Sequence, residues 1–121
     1  MATPHAAANG HRRRELVKRV LAEETHCVIC GGHVDKTLSR VPGRHAANCP
    51  GGDCPGCAWH PKAPVVDEDI PRSRGGSSTS RDNCHLAHRD CNQDKGDRTL
   101  AEHAQRRQQA AAATVTTLLD W

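Results

Sequence analysis

Apolar residues along this 121-residue chain fall into short, separated groups. Between residues 11 and 25, Leu16, Val17, Val20 and Leu21 recur at helical spacing and predict one amphipathic helix. The ten residues before it are small and polar and read as disordered. HCVICGGH at 26–33 is a tight turn. Residues 39–64 hold five of the seven Pro and four of the ten Gly and show no period. They read as loop, and a loop of that length in a small domain needs its own support. VVDEDI at 65–70 predicts a short strand closed by Pro71, and the Gly/Ser-rich RSRGGSSTSRD at 72–82 predicts a turn or loop. A second short strand is expected around Cys84–Ala87, then a helix opening at His88 and reaching about Gly96. Residues 98–113 are helical by propensity, and the β-branched TVTT after them favours helix less.

Composition says what such a chain lacks. Leu, Ile and Val together number seventeen, Phe and Tyr are absent, and two Trp are the only aromatic residues. A core this thin calls for a staple, by disulfide or by metal. The seven Cys and nine His suggest which. No apolar run near residue 1 resembles a signal peptide and no window approaches a membrane span, so a cytoplasmic chain with reduced thiols is expected. Clustered Cys then read as metal ligands, and the odd count agrees. Charge is uneven: RRRELVKR at 12–19 carries five basic groups against one acid, a stripe suited to phosphate or to an ordinary solvated helix face.

Three groups of soft donors stand out: Cys27-x2-Cys30, Cys49-x4-Cys54-x2-Cys57-x2-His60, and His88-x2-Cys91. A two-residue spacing places both donors on one side of a turn, and four such donors close a tetrahedral zinc site with Zn–S near ~2.3 Å. The simplest assignment joins Cys27, Cys30, His88 and Cys91 in one structural site. Cys49, Cys54, Cys57 and His60 form a second inside the loop, with His45 as a substitute for His60. A swap in which Cys54 and Cys57 join Cys27 and Cys30 remains open, and Cys84 is left over as a small buried apolar residue. A closed site of this kind supports folding and leaves chemistry to other residues.

Chemistry-bearing residues concentrate at 65–98. Asp67, Glu68 and Asp69 are consecutive acids on a strand whose alternation puts Asp67 and Asp69 on one face and Glu68 on the other. Asn83 follows a loop, and Asn92 begins a helical segment beside Cys91. Carboxylates and amides are hard oxygen donors, suited to Mg²⁺ or a similar divalent ion.

Taken in order, Asp67-Glu68, Ile70-Pro71, Gly75-Gly76, Asn83, Cys91-Asn92 and Lys95-Gly96 resemble the signature of the HNH endonucleases. The resemblance covers residues 27–98 apart from an apparent insertion at 39–60. It implies a small α+β fold: a zinc-stapled ββα-metal core over residues 11–98, flanked by an N-terminal helix and by a helical tail at 98–121. It implies that Asp67 and Asn92 hold a catalytic divalent ion, that Asn83 braces the loop through backbone hydrogen bonds, and that His88 stands where many members carry a third zinc Cys.

One departure matters. Position 68 of the pattern normally holds the general-base His, and Glu stands there instead. An imidazole titrates near ~6.5 and a free glutamate near ~4.3, so Glu68 is intrinsically the weaker base. Glu68 acts as the base, or joins Asp67 as a ligand, or catalysis is lost; His85 and His60 are the imidazoles nearest in sequence. Asp-Glu variants resemble phage-type members, some of which are associated with terminase subunits. The resemblance implies cleavage or nicking of DNA with low sequence preference, with Arg72, Arg74, Arg81, Arg89 and Lys95 positioning the backbone. Asp82, Asp90 and Asp94 are the acids close enough in sequence to pair with them. The rival class is a zinc-stapled adaptor, a nucleic-acid-binding module that has lost turnover.

Overall fold

A computed structural model describes residues 4–119. Its elements are α1 (Pro4–Glu23), β1 (Pro64–Glu68), β2 (Cys84–His88), α2 (Arg89–Lys95) and α3 (Leu100–Leu119), with single 3-10 turns at Arg72–Arg74 and Arg81–Asn83. The fold is small α+β, with three helices and one two-stranded antiparallel sheet. No helix among the described residues is long and apolar enough to cross a membrane.

Helix α1 begins at Pro4, inside the stretch expected to be disordered. Proline suits a first helical turn, and the Ala6–Ala8 run that follows is the strongest helix former available. Residues 1–3 of that stretch lie outside the described residues. The TVTT segment continues α3 to Leu119, and residues 120 and 121 of the tail also lie outside. Thr99 starts α3 with a capping box. Its hydroxyl accepts the Glu102 N–H at 3.1 Å, and the Glu102 carboxylate accepts the Thr99 N–H at 3.2 Å.

The strands pair Val65 with Ala87, Val66 with Leu86, Asp67 with His85 and Glu68 with Cys84. Leu16 and Val20 of the α1 stripe bury against Cys27, Val34, Cys84, Leu86 and Ala87. This core contains no aromatic ring. The Cys27–Cys30 turn docks on β2 through a Val28 N–H to Leu86 C=O bond of 2.8 Å, and Glu24 adds a carboxylate that accepts the Leu86 N–H at 3.0 Å. The turn, α1 and the sheet are thereby held as one unit, with α2 leaving directly from β2.

Candidate functional site

Two soft-donor cages are present. In the first, the ligating atoms of Cys27, Cys30, His88 and Cys91 lie within 4.8 Å of one another. Tetrahedral zinc needs sulfur donors about 3.8 Å apart, so the cage fits the ion with little adjustment. His88 is oriented for it. Its Nε2–H donates to the His33 carbonyl at 2.9 Å, which leaves Nδ1 as the bare nitrogen, 3.3 Å from the Cys30 sulfur. Burial raises the Cys27 thiol, but N–H groups of Cys30, His88 and Ile29 aimed at its sulfur outweigh that and hold it down to about 7. Burial and the charge on Cys27 push Cys91 up to about 12. Thiolates crowded this closely repel one another, and a divalent cation relieves the repulsion.

In the second cage the structure differs from the expected assignment. His45, Cys49, Cys54 and Cys57 group together, and His60 does not join them. His60 Nδ1 instead accepts the Lys62 N–H at 2.9 Å, closing a local turn. His45 Nδ1 is 3.4 Å from the Cys49 sulfur. Gly56 permits the fold of this loop: at φ 147°, a Cβ there would stand 2.3 Å from the Val41 carbonyl oxygen. Cys84 belongs to neither cage and is fully buried under the sheet, with its sulfur 3.4 Å from Arg13 Nη1.

Hard donors collect at the other end of β1. Asp67 faces α2, where the fully buried Lys95 places its ammonium 3.1 Å from Asp67 Oδ2 and donates to the Glu68 carbonyl at 3.0 Å. The approach to Oδ2 has ion-pair length but not hydrogen-bond direction, and that oxygen is buried without a hydrogen-bond partner. Asp69 Oδ1 is in the same condition. Burial raises the Asp69 carboxyl above the usual range and the Asp67 charge adds to this, against the pull of His85 and Lys95. β1 closes at Glu68 rather than running to residue 70, so Asp69 lies just past the strand; its Oδ1 and Asp67 Oδ2, which accept no hydrogen bond, are a donor set that fits a hard divalent cation. Asn92 sits about one helical turn before Lys95 on α2.

Glu68 meets different company. Its carboxylate is 3.9 Å from Arg13 Nη1 of α1, and that guanidinium is itself fixed by the Val66 and Ser78 carbonyls at 3.0 Å each. His85, opposite Asp67 in the ladder, is held between two acids: Nδ1 is 3.0 Å from Glu24 and Nε2 is 3.3 Å from Asp69. Asn83 spans the loop between the strands. Its Oδ1 accepts the Ile70 N–H at 2.9 Å, and its Nδ2 donates to the Ile70 and Ser77 carbonyls, also at 2.9 Å.

The basic side chains are dispersed. Arg74 pairs with Glu102 at 2.9 Å, and Arg81 pairs with Glu23 and Glu24 at 3.1 and 2.7 Å, so their partners are glutamates rather than the nearer aspartates. Asp90 pairs with Lys62. Arg72 is exposed, and Arg72 and Arg89 have no ion-pair partner among the described residues. Lys95 has no exposed surface at all. Glu24 and Arg13 are the contacts sequence reasoning missed. Neither lies in a motif, because Arg13 comes from α1 and Glu24 from the residue just after it, more than forty residues before the strands they touch.

These parts define a ββα unit with thiolate cages beside one end and hard oxygen donors at the other. Residues 54–98 match the family model described as HNH endonuclease. The match runs from Cys54 through β1, Gly75-Gly76, Asn83 and α2 to Arg98, and α1 and the Cys27–Cys30 turn lie outside it. The match points to nuclease activity in general. No curated protein and no solved structure matches the chain.

Proposed function

We propose that this protein is a divalent-metal-dependent endonuclease that hydrolyses DNA phosphodiester bonds with little sequence preference. The observation that carries the reading is the pair of buried carboxylate oxygens, Asp67 Oδ2 and Asp69 Oδ1, that accept no hydrogen bond, the first met only by the Lys95 ammonium. Asp67 and Asn92 hold the ion, which when bound stabilises charge developing on the phosphate. Glu68 accepts the proton of the attacking water. Contact of Asp67 with Lys95 and of Glu68 with Arg13 supports separate roles for the two adjacent acids, ion holder and base, over joint ligation. Arg72 and Arg89, having no carboxylate partner, are the cations free to meet the DNA backbone. Zinc in the two cages holds the scaffold and takes no part in the reaction. The cytoplasm of a phage-infected or prophage-bearing cell, with a terminase subunit as partner, is the setting that the Glu68 variant suggests.

A plasmid-nicking assay with Mg²⁺, Mn²⁺ or Ni²⁺ tests this. Wild type is expected to nick, Asp67→Ala to lose activity, Glu68→Ala to lose most of it and Glu68→His to retain it. An Asp67→Ala variant as active as wild type overturns the site. One observation favours the rival reading of a zinc-stapled adaptor without turnover: the Lys95 ammonium already stands at Asp67 Oδ2, where an ion would bind. DNA binding without cleavage under every metal tried would establish that reading.

A further inference from the structure

We infer that the inserted loop builds a second nucleic-acid contact, a groove that takes one unpaired nucleotide by stacking its base on Trp59 and meeting its phosphate with Arg40 and Arg89. The groove encloses about 390 Å³ against the second cage, whose ligands Cys49 and Cys57 line it together with Arg40, Asn48, Trp59 and Arg89. That volume lies at the small end of the ~300–1,000 Å³ usual for ligand sites. Trp59 is 43% exposed in a chain otherwise poor in large apolar surface. The Arg40 guanidinium lies over one face of the ring, 5.3 Å from its centroid, leaving the other face for a base, and an isolated antiparallel bridge ties the two backbones.

Charge supports an anion here. No carboxylate lines the groove, and neither Arg40 nor Arg89 has a carboxylate partner among the described residues. Zinc held by three thiolates and one imidazole leaves a single net negative charge on the neighbouring cage, which one guanidinium offsets. The two guanidiniums together therefore keep one positive charge in surplus for a phosphate that both can reach. A duplex base has no free face to offer, whereas an unpaired base stacks on an exposed aromatic ring regardless of its identity. The groove is formed largely by the insertion and does not include Asp67 or Glu68, so its binding does not depend on cleavage.

The test is quenching of tryptophan fluorescence in a Trp121→Phe background, where Trp59 alone reports, on titration with a thymidine oligomer of about eight nucleotides. Saturable quenching is expected, competed poorly by a duplex of equal length. Trp59→Ala and Arg40→Ala are each expected to weaken binding of the labelled oligomer about tenfold or more, as loss of one stacked base does. Both should keep two zinc ions per chain by mass spectrometry. Asp67→Ala is expected to bind the oligomer like wild type, which separates this groove from the nuclease reading. Absence of quenching, equal quenching by duplex, or wild-type affinity in both groove variants overturns the proposal.

Discussion

The Lys95 ammonium, with no solvent exposure, faces Asp67 Oδ2 at 3.1 Å, and the carboxylate it faces is itself only 11% exposed. A buried lysine beside an acid is tolerated only while the two charges compensate each other. Removing one partner of such a pair typically costs about 3–5 kcal/mol. Lys95→Met is therefore expected to destabilise the protein by roughly that amount in thermal or denaturant unfolding. Added Mn²⁺ should recover part of the loss, because a cation gives Asp67 a new partner. A Lys95→Met protein as stable as wild type, or one indifferent to Mn²⁺, would contradict this account of Asp67.

The two cages should differ in what they support. Cys27, Cys30, His88 and Cys91 join the turn after α1 to β2 and α2 at the core, while His45, Cys49, Cys54 and Cys57 belong to one loop. Structural zinc contributes of order 10 kcal/mol to small domains, more than this aromatic-free core can replace. Cys27→Ser is expected to abolish cooperative unfolding. Cys57→Ser should leave one zinc per chain and a cooperative transition, with Trp59 fluorescence altered. Retention of two zinc ions by either variant would show that the cage in question is misassigned.

Much of this was legible in the sequence because local spacing carries it. The first cage, the two strands, α2 and Asp67 and Glu68 on β1 follow from two-residue donor spacings and a short alternating run, although β1 stops at Glu68 and leaves Asp69 beyond it. Where the sequence failed, the missing information was three-dimensional. His45 and His60 are equally plausible fourth donors by distance along the chain; the turn at Gly56 and the bond from Lys62 to His60 decide between them. Lys95 read as a surface cation, since nothing local distinguishes a lysine that crosses a helix to an acid twenty-eight residues earlier. Arg13 looked like one of several basic groups on a solvated helix, and only packing of α1 against the sheet brings it to Glu68.

The Gly75-Gly76 turn separates two reasons for glycine. Gly75 adopts φ 91°, which costs an L-residue about 1–2 kcal/mol. Gly76 does not have a positive φ, but a Cβ there would fall 1.6 Å from the Ile70 carbonyl oxygen and 2.9 Å from the Asn83 amide nitrogen. Gly76→Ala should therefore destabilise more than Gly75→Ala, because backbone must move. Asn83→Ala leaves the Ile70 N–H and carbonyl without their side-chain partner and should cost about 1–3 kcal/mol. Denaturant midpoints of the three variants check the order; Gly75→Ala as the worse of the two glycine changes would refute the steric argument.

His103 gives stability a pH dependence. The residue is 3% exposed on α3, and its Nδ1 is buried without a hydrogen-bond partner. Burial lowers its pKa below the ordinary value near 6.5; Asp94, 3.6 Å away, opposes the shift, and Arg98, Arg107 and Arg106 add to it. The unfolded chain therefore binds a proton at a pH where the folded protein still resists one. Stability from this residue is complete above about pH 6.5 and falls as pH drops from there toward the lowered value. His103→Gln keeps a polar side chain of similar size that does not titrate. Between about pH 8 and pH 6, a range that leaves the thiolate cages loaded, the melting-temperature advantage of wild type over His103→Gln is expected to shrink. An advantage that stays constant or grows on acidification would mean that His103 is protonated as readily in the folded protein as in the unfolded chain, and that its burial carries no charge penalty.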